Sequence, residues 1–218
     1  MKKLLGLFAA IVFSANIFAV ELLGVQLKEG VHYEVINQQA TAKPEVKEFF
    51  SYYCPHCYSF EPLADKLKDS AKKNGFEFKK SHVDFLRAAG PEIQAMLTRA
   101  LVAAERLDAP QASTAIFKYI HKQRAVFTKE KDIRNLFVLN GVDGDKFDKA
   151  FNSFAVKAAA RKMKKEQDEL SRRGVLRSVP TFIVNGKYKI NSQAFKAKTY
   201  DELFSQIEAA ALELVKKS

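Results

Sequence analysis

Cys54 and Cys57 are the only cysteines in a chain of 218 residues, and they enclose Pro55 and His56. Two thiols three positions apart can cycle between dithiol and disulfide. As a structural staple, a bridge between them would close a very short loop and constrain the unfolded chain little. As metal ligands, two cysteines are too few for a four-cysteine zinc site. A zinc or copper site would need His56, the distant His82 or His121, or a second chain. Thiol redox chemistry suits the spacing best, because the same two sulfurs can attack, resolve and carry the electrons.

The elements around the pair decide which thiol is reactive. Residues 46 to 51 read as a strand, and an apolar stripe through Phe60, Leu63, Ala64, Leu67 and Ala71 predicts a helix starting directly after Cys54. Pro55 fits the first turn of that helix, where its missing N–H costs nothing. Cys54 therefore sits at a helix N-terminus, where unpaired N–H groups and the helix dipole favour an anion. That placement lowers the thiol pKa, and a protonated His56 would add to the effect. Cys57 falls one turn further in and is expected to be the less exposed, resolving thiol.

The remaining pattern is an α/β frame interrupted by helices. Residues 33 to 36 and 76 to 83 read as further strands, with Asn74-Gly75 ending the helix between them. From about Leu86 the period changes. Helices are expected over residues 91 to 107, 112 to 122 and 132 to 139. A long one should run from 145 to about 173, lined by Phe147, Phe151, Phe154 and Ala158 and bent or broken somewhere. Strands then return at 181 to 184 and 187 to 190 around Asn185-Gly186, a type I′ hairpin signal. Thr199 and Glu202 form a capping-box pair that starts a last helix. Neither half of the frame could bury its own sheet, so the halves should come together around the helical block.

The chain's beginning sets the compartment. Lys2 and Lys3 precede an apolar run from Leu4 to Phe13, and Ala15 or Ala19 could precede a cleavage point. Cleavage after Ala19 is favoured, and an uncleaved membrane anchor is the alternative. No later segment is long and apolar enough to cross a membrane. Export would place the cysteines where disulfides persist. The formal charge of +11 falls to +9 when Lys2 and Lys3 leave. Lys and Arg are scattered among acids, and even the basic stretch 161–173 is interrupted by Glu166, Asp168 and Glu169. This reads as solvated helix surface rather than a nucleic-acid or lipid site. Eighteen Phe and no Trp suggest apolar surface as well as core.

The run Glu48-Phe49-Phe50-Ser51-Tyr52-Tyr53-Cys54-Pro55-His56-Cys57 resembles the active-site segment of the DsbA family of bacterial disulfide oxidases. Val179-Pro180-Thr181-Phe182 followed by Asn185-Gly186-Lys187-Tyr188 resembles that family's second signature. The resemblance spans nearly the whole mature chain. It implies a thioredoxin fold with an inserted α-helical domain: residues 20–85 and 174–218 as the two parts of the thioredoxin-like domain, and 86–173 as the insertion. Cys54 would form the mixed disulfide with a client, Cys57 would resolve it, and His56 would stabilise the Cys54 thiolate. Pro180 would be a cis-proline beside the disulfide, with Val179 presenting its backbone to an extended client. Glu48 and Lys80 would be a charged pair beneath the site, since a carboxylate in an apolar strand is costly unless paired; the lesser alternative is a pair of ordinary charges on an exposed strand face. His32, His82 and His121 are read as structural or surface residues. Newly exported proteins with thiols would be the substrates and a DsbB-like, quinone-linked membrane protein the reoxidising partner. No bound cofactor or metal is implied, and the protein is expected to be a periplasmic monomer. A reductase or isomerase of the same fold, or a metal-binding C-x-x-C module, are the rival readings. Two departures stand out: Pro62 inside the active-site helix, where it should kink it, and Ser178 before Val179-Pro180.

Overall fold

The structure, a computed structural model, describes residues 26–217. The expected export segment, residues 1–19, lies outside them. Five strands form one mixed sheet: β1 (Tyr33–Val35), β2 (Glu45–Phe50), β3 (Glu77–His82), β4 (Thr181–Val184) and β5 (Tyr188–Ile190). Their order is β1-β5-β4-β2-β3, with β2 and β3 parallel and the other neighbours antiparallel. β2 lies between β3 and β4 and is buried on both faces, with Val46, Phe49 and Phe50 in the core and the charged Glu45, Lys47 and Glu48 among them. Its carboxyl end leads straight to Cys54.

The connection from β2 to β3 is not one kinked helix but two helices, α1 (Pro55–Ser59) and α2 (Glu61–Asn74). Phe60 closes the first, its N–H donating to the carbonyls of His56 and Cys57. Pro62 then sits in the first turn of α2 instead of inside a helix. A proline there disturbs no N–H, so the chain restarts the helix where Pro62 is harmless. Gly75 ends α2 in the left-handed conformation at φ 72°.

Between β3 and β4 run α3 (Pro91–Arg106), α4 (Pro110–His121), α5 (Glu130–Leu139), α6 (Gly144–Asn152) and α7 (Phe154–Arg172). The long expected helix is thus α6 and α7, parted at Ser153. Ser153 is extended (φ −64°, ψ 149°) and its side chain accepts a hydrogen bond from Val156 N at 3.2 Å. The break resets the helical phase. Phe147 and Phe151 are fully buried, Phe147 lying against Phe137 and Phe151 against Phe147, but Phe154 becomes the first residue of a new helix and is 81% exposed. Ala158 is half-buried, and Val156 takes the inward position that the stripe assigned to Phe154. Phe85 and Phe154 carry the apolar surface that the many phenylalanines implied, while seven others are wholly buried.

The last segment supplies two sheet strands and α8 (Tyr200–Lys216). Asn185 and Gly186 both adopt positive φ, 51° and 60°, as a type I′ turn requires. Val184 pairs with Tyr188, so Lys187 stands outside the ladder and β5 starts one residue later than expected. Lys187 instead donates to Val184 O and accepts from Ile36 N. At α8, Thr199 accepts from Glu202 N, but the Glu202 carboxylate reaches Lys198 N rather than Thr199 N. The reciprocal half of the cap has moved one residue outward.

Asn185 also ties the hairpin to its neighbours. It is wholly buried, accepting from Glu45 N at 2.9 Å and donating to Val215 O at 3.1 Å. Asn185→Ala is expected to lower stability by about 2 kcal/mol, through lost buried hydrogen bonds and a left-handed backbone that alanine resists. Urea unfolding should show a lower midpoint at unchanged slope; an unaltered midpoint would contradict this role.

Candidate active site

Ser51, Tyr52 and Tyr53 carry the chain from β2 to Cys54, and Cys54 N donates to Ser51 O at 3.0 Å. Cys54 is the N-cap of α1, extended at φ −88° and ψ 113°. Its sulfur accepts a hydrogen bond from Cys57 N at 3.1 Å. A cap of this kind is usually an oxygen; here a thiolate can take the same place. Cys54 is 4% exposed and Cys57 is fully buried, both as free thiols.

The two thiols are pushed apart electrostatically. The Cys57 side chain donates to the Cys54 sulfur, and this is the main reason that Cys54 is lowered to about 7. Burial opposes the shift, while the N–H groups of Cys57 and His56 reinforce it. Cys57 is pushed far up, first by burial and then by the bond it donates to Cys54. The pair therefore shares one proton, held on Cys57, and titrates as a unit. In a Cys57→Ala protein the leading donor is gone. The Cys54 midpoint, followed by ultraviolet thiolate absorbance, is expected to rise from about 7 toward the ordinary thiol value of 9.0. An unmoved midpoint would mean that the backbone donors alone hold the thiolate.

His56 is exposed, and its N–H, not its ring, is what lowers Cys54. Its imidazole rims a groove of about 740 Å³ shared with Phe60, Val179, Pro180, Phe195 and Tyr200. The Val179–Pro180 peptide bond is cis. The Cys54 thiol donates to Val179 O at 3.4 Å, so the two signatures, 125 residues apart, meet at one sulfur.

Beneath the site, Glu48 and Lys80 are direct cross-strand neighbours 3.3 Å apart. Glu48 is fully buried, so an exposed strand face is ruled out. Burial pushes its carboxyl up to about 7, with Lys80 only partly offsetting it. Burial pulls Lys80 down, but Glu48 and Glu61 together outweigh this and hold the ammonium above its usual range. The shifts agree on one picture: Lys80 stays charged, bonded to Glu61, and Glu48 is the member whose charge varies near neutrality. Lys80 Nζ also lies 4.3 Å from the Phe50 ring centre.

Several contacts here were not foreseen. His121 donates from Nε2 to Tyr52 O at 2.8 Å and stacks on Tyr58 with ring centres 5.3 Å apart. The Tyr52 hydroxyl bonds Ser113 Oγ at 2.6 Å. Through α4, the helical block thus grips the segment on both sides of Cys54. His121 is structural, as read, but its place is at the site rather than on the open surface. His82, fully buried, bonds Thr98 Oγ1 at 2.9 Å, and burial lowers it to about 3. His32 accepts from Lys28 N at 3.1 Å, away from the cysteines. Glu61 was missed as the partner of Lys80. Among the described residues, no three His, Cys, Asp or Glu side chains gather as metal ligands.

Comparison with known proteins settles the family. The model of the DSBA-like thioredoxin domain matches residues 45–208. The chain belongs to the DsbA-like thioredoxin family. Thiol:disulfide interchange protein DsbA of Salmonella typhimurium is 34% identical over 221 residues, covering 100% of both chains. The Haemophilus influenzae DsbA is 35% identical, covering 93% of each. Among solved structures, a cysteine-to-serine DsbA of Proteus mirabilis with a non-covalently bound peptide superposes with a TM-score of 0.75 at 30% identity. It covers 88% of this chain and 100% of that one. The Klebsiella pneumoniae DsbA gives 0.76 at 25% identity, covering 88% and 99%. The fold is therefore the thioredoxin-like DsbA fold, an α/β arrangement of mixed sheet and helices. The chain is a protein disulfide oxidoreductase with a C-x-x-C pair, Cys54 and Cys57.

Proposed function

We propose that this oxidoreductase works as an oxidase in the periplasm, passing the Cys54–Cys57 disulfide to newly exported proteins. A client thiolate attacks the Cys54 sulfur, forming a mixed disulfide and releasing Cys57 as the thiolate. A second client thiolate then attacks the client's own sulfur in that mixed disulfide. The client leaves with a disulfide, and the enzyme keeps two electrons as its dithiol. Direction depends on how well Cys54 leaves, since a thiol of lower pKa is the better leaving group.

The observation that carries this reading is the donor set on Cys54. Cys57 N–H donates to the Cys54 sulfur at 3.1 Å, and the neighbouring Cys57 thiol and His56 N–H also favour its thiolate. Loss of the Cys54 proton also frees Val179 O, which that thiol otherwise engages. The freed carbonyl can accept from an extended client main chain, with Pro180 fixing its position. Glu48 serves Cys57: a carboxyl held near 7 can take or return the proton that this buried thiol must lose and regain. Lys80 keeps that carboxyl in place, and Pro55 starts the helix that Cys54 caps.

In this reading, residues 20–85 and 174–218 make one thioredoxin-like domain, and the insertion 86–173 braces the active-site segment through His121 and Ser113. Residues 1–19 direct export, and the protein acts as a monomer reoxidised by a DsbB-like membrane protein. No helix among the described residues is long and apolar enough to cross a membrane.

Mixing the oxidised protein with a reduced, unfolded two-cysteine client tests the proposal. One client disulfide should form per Cys54–Cys57 disulfide consumed. A client left reduced beside oxidised enzyme would refute the oxidase direction.

A further inference from the structure

The groove beside Cys54 is lined by a distinctive set of side chains. Phe60, Phe195, Tyr200 and Leu203 make its floor and wall, and its lining includes no Asp or Glu. Lys198 is the lysine in that lining; it is exposed, and among the described residues no carboxylate forms an ion pair with its ammonium. Glu202, four residues on, takes hydrogen bonds from Lys198 N and Gln206 Nε2 instead. Thr199 caps the 17-residue helix α8, so the positive end of that helix opens on the same groove, with Asp201 and Glu202 in its first turn as the offsetting charges. Tyr200 is 54% exposed, yet its ring rests on Phe60 and Phe204 at 6.2 and 5.5 Å. It is an aromatic held in place while open to contact.

We propose that this groove selects client segments carrying an acidic side chain close to the reactive cysteine, with Lys198 as the selecting cation and Tyr200 as an apolar platform beside it. The inference rests on the reading that clients lie across Val179 and Pro180. Its physical basis is charge complementarity in a groove whose fixed charge is positive. That complementarity changes encounter rate and register more than it changes raw affinity.

Short peptides with one cysteine pair and a flanking Asp, Asn or Lys separate the possibilities. At low ionic strength, kcat/KM for oxidation should be about fivefold higher for Asp than for Lys, the size of an exposed pair formed against one repelled. High salt should erase the difference. Lys198→Glu should invert the order. Affinities of the same peptides with serine in place of cysteine, which bind without exchange, should follow the same ranking. Oxidation with no charge ranking, or a ranking unchanged in Lys198→Glu, would overturn the inference and leave the oxidase reading standing. A charge ranking in affinity with no oxidation would support the groove's preference and sink the oxidase reading.

Discussion

Reduced Cys57→Ala, offered a client whose single cysteine is held as a mixed disulfide with glutathione, is expected to take up one client per chain as glutathione leaves and to stall there, whereas Cys54→Ser is expected to lose catalysed client oxidation by roughly 10³-fold or more. The asymmetry comes from burial. Cys54 faces Val179 O and the groove, and Cys57 has no exposed surface. A client can reach the first sulfur but not the second. With Cys57 removed and no second thiol on the client, nothing in the complex can break a mixed disulfide at Cys54, so it should persist on non-reducing gels. Mass spectrometry should place the client on Cys54 alone. Equal trapping by Cys54→Ser through Cys57 would contradict the assigned roles.

Glu48→Gln should change the pH dependence of stability across neutrality. Glu48 is buried with its carboxyl raised to about 7, against an ordinary value of 4.5. A raised folded pKa means the folded state binds the proton more tightly. Its contribution to stability is then full below about 4.5 and lost as the pH climbs through about 7. The difference between variant and parent should therefore move in the variant's favour by about 3 kcal/mol between mildly acid and mildly alkaline conditions. Lys80 keeps Glu61 as a partner in the variant, so its charge is not stranded. Denaturant melts of the reduced proteins across this range measure the swing. Parallel curves for the two proteins would show that Glu48 is ionised throughout.

These effects were unequally legible in the sequence. The placement of Cys54 was, because a strand, a proline and an apolar stripe are local signals that agree with one another. The hairpin at Asn185-Gly186 was legible for the same reason. A break in the long helix was legible from its length, but the place of that break, and the break at Phe60, were not. Ser153 interrupts a stripe that continues in sequence through Phe154, and only the burial of Val156 shows which phase the packing prefers. Pro62 was read as a kink, because the restart at Phe60 depends on fitting α1 against α4 and α2 against the sheet. The grip of His121 on Tyr52 spans 69 residues and that of Ser113 spans 61, and periodicity carries no information at such separations. Glu61 was passed over because a charge in the first turn of a helix is commonplace. Its importance lies in what β3 places opposite it.

Under the proposed function this protein gives disulfides away, and its direction of electron flow is open to measurement. Equilibrating it with defined mixtures of reduced and oxidised glutathione, and counting free thiols by alkylation and mass, measures that directly. The stabilised Cys54 thiolate favours the dithiol form, so the reduction potential should lie above roughly −180 mV, more oxidising than the glutathione pool. A value near that of thioredoxin, about −270 mV, would make the protein a reductase and contradict the account.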